Sequence, residues 1–406
     1  MSRSKRAAHQ KDLAEPKKNH KEIEREDEES SKDLSVWMPG MELEEGEELE
    51  ADPAAYLMLH SLTTEWPCLS FDFVADSYGD ERYLFPFKCN ILAGTCADRP
   101  DQNKVLHIEC SNLARTGGYD SDSEPSEDEE IPEPSFKCTN LEHLGGVNRI
   151  RSHSATLFAT FSDQAKVNIF SSTQLAYTST KKEHRTEGFG LAWSPREPLL
   201  LSGDNNGALN LYQPKADCFV CGSMFFGNAS SIEDINWSPS ESNVFACCST
   251  DGAVRIYDIR STNPVVSHKL SSTDVNVISW NKNAPHLLAS GAEDGVFAVH
   301  DMRNWNEPLF SFSWHKAAVT SIEWHPTDSS VLAVAGDDEQ ISLWDFSAEA
   351  DESKEENNQV ADFPPQLLFI HAGQKEIKEL HWHPQAPGFL ASTSASGFNI
   401  FKTISI

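Results

Sequence analysis

Cys218 and Cys221 form the one C-x-x-C in this 406-residue chain. The pair has no second pair and no His at finger spacing, so neither a zinc site nor a redox centre is expected there. His325 and His383 share one place in a recurring Trp-His-Pro turn, which makes them features of a repeat and not ligands. No G-x-x-x-x-G-K-[ST] and no G-x-G-x-x-G run occurs, so no phosphate cradle is signalled. The expectation is therefore a protein with no catalytic residue, no metal and no cofactor.

What the chain carries in quantity is carboxylate. It has 63 Asp and Glu against 33 Lys and Arg, for a formal net charge of −30. Phosphate backbones need cations to neutralise them, so direct nucleic-acid binding is not expected. Opposite potentials steer encounter, so the same surplus points to a basic protein partner. The nine Cys are odd in number and scattered through apolar runs, as reduced core residues of an intracellular protein would be. No run of 18 apolar residues exists, so no membrane span is expected, and no secretory signal opens the chain. The sequon Asn228-Ala229-Ser230 is then without consequence.

The elements that must present these carboxylates repeat. A short apolar run ending in Trp, then a turn, comes at Trp193, Trp237, Trp280, Trp324 and Trp382. Recurrence at roughly 40–45 residues is the period of a WD-type propeller blade. After each Trp follow a β-rich run, a tight turn and a second β-rich run, as in VFACCSTDGAVRIYD after Trp237 and VLAVAGDDEQISLWD after Trp324. Asp251-Gly252 and Asp294-Gly295 suit two-residue hairpin turns, since Gly tolerates positive φ. Arg151 stands in register with the Trp residues, which makes GGVNRIRSH the start of blade two. YLFPFKCNILAGT and KVLHIECSNL supply blade one, and blade seven carries Trp382 and ends on GFNIFKTISI. The fold class expected is all-β: a seven-bladed WD40 propeller over residues 51–406. Being closed, it needs no second copy, so a monomer is expected.

Around this ring lie segments of other composition. Residues 1–50 are charged and poor in apolar groups, so a disordered tail is expected. Lys5-Arg6 and Lys17-Lys18 with Lys21 suit a two-part nuclear import signal, or a solvated basic tail. DPAAYLMLHSLTTE opens with an Asp cap and Pro, and Tyr56 and Leu59 sit three apart, so a short amphipathic helix is predicted over 53–65. CLSFDFV, residues 68–74, would follow as a strand that helps close the ring. Residues 119–134 form an acidic, Pro-broken loop in which Ser121 and Ser126 each precede Glu by three, the pattern of an acidophilic kinase site. The long step between Trp324 and Trp382 holds an acidic insertion, 347–366.

Two places could receive a basic partner. The positions six before each repeat residue are Gly145, Glu187, Ser231, Asp274, Ala318 and Glu376. They should lie on the face bearing each blade's middle hairpin turn, where Glu187, Asp274 and Glu376 would make part of a rim anionic. Scattered surface acids would look the same in the sequence. The turn aspartates Asp163, Asp204, Asp251, Asp294 and Asp338 share that face and are expected to hold the turns themselves. The second place is the insertion against the predicted helix. Glu349, Asp351, Glu352, Glu355, Glu356 and Asp362 would attract cations, while Phe363, Leu367 and Leu368, with Tyr56 and Leu59, would offer apolar surface to an amphipathic basic helix. Leu367-Leu368-Phe369 also suits the outer strand of the last blade.

PCLSFDFV (67–74), DVNVISW (274–280), VTSIEWHP (319–326), KELHWHPQAPG (378–388) and GFNIFKTISI (397–406) together resemble the glutamate-rich WD-repeat proteins. These are relatives of the histone-binding retinoblastoma-associated WD proteins, and the resemblance covers most of residues 50–406. DFPPQLLFIHAG (362–373) looks like the Pro-Pro loop of those relatives, in which loop and N-terminal helix grip a basic helix of a core histone. The glutamate-rich branch is similar to factors that escort newly made ribosomal protein uL3 and assist large-subunit assembly. The resemblance thus implies a non-enzymatic acidic chaperone of uL3 within pre-ribosomal particles. It also implies a nuclear and nucleolar location, which the N-terminal basic pairs fit and which leaves room for a cytoplasmic pool. Histone escort, or a substrate-receptor scaffold with no basic client, are the competing readings.

Overall fold

The computed structural model describes residues 2–5, 35–36, 47–117, 133–171, 174–178, 183–216, 218–225, 228–348 and 363–406. Seven four-stranded antiparallel sheets follow one another, and their innermost strands touch in a closed circle. Blades two to six each run from inner to outer strand in chain order. They begin at Val147, Gly190, Ile232, Val275 and Val319.

Blade one is larger than the sequence implied. Cys68–Val74 is its inner strand, followed by Phe87–Thr95, Lys104–Leu113 and the outer Ser135–Glu142. The ring closes in blade seven, where Glu379–Trp382, Phe389–Ser394 and Gly397–Thr403 are completed by Tyr56–Leu62. One sheet built from both ends of the domain leaves no gap in the circle.

The predicted helix over 53–65 is therefore a correction. Pro53–Ala55 is one 3-10 turn, capped by Asp52 Oδ1 accepting from Ala54 N at 2.9 Å. Tyr56–Leu62 is a strand paired along Gly397–Thr403. The helical spacing has a local cause. Register slips between Lys402 and Thr403, so that Tyr56 faces Thr403, Met58 faces Lys402 and Leu57 is left over. This bulge turns both Tyr56 and Leu59 towards blade six, while Met58 and Leu62 pack towards blade one. A bulge shifts a period of two by one residue, and apolar positions three apart result.

Seven apolar clusters, one between each pair of adjacent blades, make up the core of the described residues. The repeated Trp has a second task besides filling these seams. Trp193, Trp237, Trp324 and Trp382 each donate the indole N–H to a carbonyl on the preceding blade's inner strand. The acceptors are Arg151, Ala192, Ser279 and Glu323, at 3.0, 3.0, 3.1 and 3.0 Å. Trp280 departs from the pattern and bonds Pro285 O in its own blade at 2.7 Å. Four of the five turn aspartates behave as expected, while Asp163 accepts from the Gln164 side chain at 3.0 Å. Asp204 and Asp338 bind His184 and His315 at 3.0 and 2.9 Å, and Asp251 and Asp294 accept from Ala253 N and Val296 N at 3.0 and 3.2 Å. Gly295 has φ +79°, and a Cβ there would strike the His315 carbonyl oxygen.

Leu367–Ala372 is the outer strand of blade six, not of the last blade. Of the tail 1–50, only Ser2–Lys5, Ser35–Val36 and Glu47–Glu50 are described. They pair into a three-stranded sheet of their own.

Candidate functional site

The axis of the ring holds charge, but that charge is spent internally. An inner strand's free edge presents N–H groups that its own sheet cannot pair. Here carboxylates of neighbouring blades accept them. Asp72 takes Ser152 N at 2.8 Å, Asp234 takes Ile278 N at 3.1 Å, and Glu323 takes Trp382 N at 3.1 Å. Glu379 takes Phe71 N at 2.8 Å and the Ser70 hydroxyl at 2.7 Å. Its other oxygen accepts from Arg149 Nη1 at 2.6 Å and Arg151 Nη2 at 2.7 Å.

Burial opposes ionisation of Glu379, yet Arg151 and Arg149, with His381, hold its carboxyl well below the usual range. Burial likewise disfavours an imidazolium at His381, but Glu323 and Glu379 hold the ring protonated up to about 10. Burial pushes the Asp72 and Asp234 carboxyls up. These groups line a cavity of about 610 Å³ at the Trp end of the inner strands, with Arg196 and Lys282 also in its wall. Cations and carboxylates interleave there, so the cavity is not an anionic funnel.

The rim acids lie on the expected face. Asn205 N donates to Glu187 O at 2.9 Å, Glu293 N to Asp274 O at 3.0 Å, and Asp337 N to Ala318 O at 2.9 Å. Each bond ties a middle hairpin to the residue just before an inner strand. In blades two and seven the same bond goes to Gly146 and Lys375, so Gly145 and Glu376 are one residue out of register. Glu187 is engaged by Asn148 Nδ2 at 3.0 Å, and Glu376 lies 3.5 Å from Lys378. The structure sets Glu187, Asp274 and Glu376 on blades three, five and seven, with exposed Lys316 and Lys375 on the same face. It does not gather them.

The second expected place is rearranged. Tyr56 is 2 % exposed, its hydroxyl lies 2.8 Å from His371 Nδ1, and its ring meets Phe369 edge-on at 5.2 Å. It locks the closing strand to blade six and offers nothing to a partner. Leu59 packs into the same seam. Leu367 packs into the seam between blades five and six, and the Phe363 ring lies 5.8 Å from Trp314. Glu349, Asp351, Glu352, Glu355, Glu356 and Asp362, and likewise Ser121 and Ser126, lie outside the described residues.

The places where the acidic segments join the fold are described, and they converge. Asp345 N donates to Gln366 O at 2.8 Å, which pins the two ends of the 347–366 insertion together. The outer strand that follows it brings Leu368 and Phe369 into one seam with Ala51 and Ala55, the start of the ring after the acidic run 42–50. Thr116, on the approach to the acidic loop 119–134, donates its N–H to Leu57 O at 3.0 Å. Its hydroxyl accepts from Leu59 N at 2.9 Å. Three acidic runs distant in sequence are thus rooted within one corner, where blades six, seven and one meet on the Trp-turn face. Sequence reading found each run but not their meeting. It also missed Arg149 and Glu379, for which Arg151 in a Trp slot was the one available signal.

A closed ring of seven antiparallel sheets whose axis is lined by its own ion pairs, with three acidic runs rooted at one corner, defines a WD-repeat propeller. Comparison with known proteins narrows the class. The model for the WD domain, G-beta repeat, matches residues 306–345, and that for the WD40 domain of anaphase-promoting complex subunit 4 matches 225–283. The model for histone-binding protein RBBP4 and its counterpart in the CAF1 complex matches 46–114. Over 91% of its length the chain is 41% identical to the ribosome assembly protein rrb1 of Schizosaccharomyces pombe, covering 84% of that protein. It is 39% identical, with the same two coverages, to the glutamate-rich WD repeat-containing protein 1 of Dictyostelium discoideum. The histone acetyltransferase type B subunit 2 of Candida glabrata is 26% identical over 84% of this chain and 83% of its own. The chain belongs to the glutamate-rich WD-repeat family that includes these first two relatives.

Proposed function

We propose that this protein is a non-catalytic acidic assembly factor of the large ribosomal subunit that binds and shields a basic client, ribosomal protein uL3. The observation that carries this reading is the shared root of the three acidic runs. Residues 42–50 hold six Glu, 119–134 eight Asp and Glu, and 347–366 six. Tethered at one corner, they form a local polyanion that raises the concentration of a cationic ligand. Binding would cover Lys and Arg of the client until ribosomal RNA, with its denser phosphate charge, displaces the factor. The likeness to a ribosome assembly protein supports a role in ribosome assembly and thus a ribosomal client. A nuclear and nucleolar location follows from where such particles are built, and the basic pairs at Lys5-Arg6 and Lys17-Lys18 would serve import. Modification of Ser121 and Ser126 would add charge to the same corner.

Histone escort is the second reading, because the histone-binding family model covers residues 46–114, which hold the root of the 42–50 run and, in Leu57 and Leu59, the partners of Thr116 at the root of the second. Purified uL3 and purified core histones, titrated against the full chain over a series of salt concentrations, separate the readings. Tighter capture of uL3, falling steeply with salt, is expected. Preference for histones would transfer the client assignment. Salt-independent binding of another protein, with neither client captured, would favour the scaffold reading.

A further inference from the structure

Residues 75–86 join the inner strand of blade one to its second strand and therefore lie on the Trp-turn face. Tyr78 and Tyr83 are 59 % exposed and Leu84 is 86 % exposed, which places three large apolar side chains on one short loop. Mobile loops shed such residues to water at little gain, but this loop is held. Gln385, in blade seven's Trp turn, accepts from Asp76 N with its side-chain oxygen at 2.9 Å. Its amide donates to Asp76 O at 3.1 Å and to Asp80 Oδ1 at 3.0 Å. Its carbonyl accepts from Arg82 N at 3.0 Å. Arg82 in turn donates to Asp76 Oδ2 at 3.0 Å and to Lys88 O at 3.1 Å. Glu81 sits at φ +54°, a left-handed conformation that a non-glycine residue keeps only when its surroundings enforce it.

A rigid loop that exposes Tyr, Tyr and Leu has already given up the conformational freedom that binding would otherwise remove. Aromatic side chains held this way are the usual anchors of protein interfaces. The occupant follows from charge. The exposed acids Asp80 and Glu81 stand between Tyr78 and Tyr83 in sequence; of the loop's cations, Arg82 is paired with Asp76 and Lys88 Nζ lies 5.3 Å from the Tyr78 ring centre, which leaves the loop with a surplus carboxylate. Blade seven's Trp turn, which holds the loop, also borders the corner where the acidic runs are rooted. Lys402 Nζ donates to Pro387 O at 2.6 Å, and beyond it Ile404 N donates to Ala55 O at 3.3 Å.

We propose that residues 78–84 are the apolar anchor for a cationic amphipathic segment of the client, so that the client lies across blades seven and one on the Trp-turn face and not on the hairpin rim. This rests on the basic-client reading and adds to it the place of contact and the amphipathic character of what is bound. Asp80 and Glu81 would face the cationic side of the segment, while Tyr78, Tyr83 and Leu84 receive its apolar side.

The test is a triple variant, Tyr78→Ser, Tyr83→Ser and Leu84→Ser, in the full chain, with purified uL3 as probe. All three side chains are exposed, so the melting temperature of the variant should match the wild type, which removes misfolding as an explanation. The expected result is a Kd for uL3 raised about 30-fold or more, the scale of interface anchors. The salt dependence should be unchanged, because no charge is altered. A companion variant, Val265→Ser with Leu309→Ser, removes exposed apolar groups of blades four and five and should bind as wild type. Unchanged affinity of the triple variant overturns the anchor and leaves the basic-client reading standing. Failure of the wild type to bind uL3 or core histones at low salt overturns both. Self-association of the wild type that the triple variant abolishes, with uL3 affinity retained, would assign the loop to a second copy and overturn the proposal.

Discussion

Arg151 Nη2 and Glu379 Oε1 stand 2.7 Å apart, although blade one lies between the blades that carry them. Arg151 occupies the place where the other blades put Trp. It retains a weak version of the Trp bond, with Nη1 3.5 Å from Phe71 O on the preceding blade. What it adds is reach across the axis, so that blades two, one and seven share one buried carboxylate.

Replacing Arg151 by Trp would restore the repeat consensus and is nonetheless expected to destabilise the ring. Glu379 would keep Arg149 but lose half of its guanidinium partners while remaining 1 % exposed. Loss of one partner from a buried ion pair costs about 3–5 kcal/mol. The retained Arg149 should place the loss at the lower end, and chemical denaturation of the two proteins side by side measures it. A variant as stable as the wild type would show that the pair is ornamental.

Buried Glu379 and half-buried Asp72, whose carboxyls shift in opposite pKa directions, should respond differently to amide replacement. Glu379→Gln leaves two guanidinium groups facing a neutral side chain and should cost about 3 kcal/mol. Asp72→Asn keeps an acceptor for Ser152 N, and burial already pushes the Asp72 carboxyl up. Its cost should stay under about 1 kcal/mol. Equal losses in the two melts would contradict the assigned directions.

His381 makes stability depend on pH on the alkaline side. Its pKa rises from 6.5 to about 10 on folding, against the cost of burial, because Glu323 and Glu379 face the ring. The folded state therefore binds a proton that the unfolded chain has released. This contribution is complete below about 6.5 and drains away as pH rises through about 10. Glu379, whose pKa is depressed, contributes in the other sense, and its share is lost only as pH falls below the ordinary carboxylate range. Stability measured between pH 7 and 10 should decline, and Glu323→Gln should flatten that decline.

Closure by the strand Tyr56–Leu62 predicts a sharp boundary for truncation. Removing residues 1–50 should leave the melting of the ring unchanged. Removing residues 1–62 opens blade seven and exposes the seam that Tyr56, Phe369 and Phe401 fill, and cooperative unfolding should be lost. Within the seam, Tyr56→Phe forfeits the bond to His371 at about 1 kcal/mol. Tyr56→Ala should cost several times that figure through the cavity it leaves.

Single indole bonds can be isolated as well. Trp324→Phe preserves most of the packing but orphans the buried Ser279 carbonyl that Nε1 now serves at 3.1 Å. A loss of about 1–3 kcal/mol is expected. Trp280→Phe should cost no less, although its partner, Pro285 O, lies in its own blade.

Much is readable from one chain. The Trp residues from Trp193 to Trp324 recur with a blade's period, Trp237, Trp280 and Trp324 each carry a hairpin-turn Asp 14 residues on, and alternation gives the strands, because repeats and turns are local chemistry. The misreadings also have local causes. Tyr56 and Leu59 look helical because a bulge mimics helical spacing, and the bulge exists only in the pairing with Lys402 and Thr403. Leu367 reads as part of the last blade, one too late, because the chain's first strand, not its last insertion, completes blade seven.

Charge divides the same way. The sequence alone determined that this is an acidic WD-repeat ring with carboxylate to spare, since counting residues and finding their period requires no coordinates. Which carboxylates are free was decided only in three dimensions. Asp72, Asp234, Glu323 and Glu379 are consumed by the open edges of inner strands, whose N–H groups must find acceptors out of water. The roots of the acidic runs near 50, 119 and 347 become neighbours because a ring brings its first, sixth and seventh blades together, and only closure can do that.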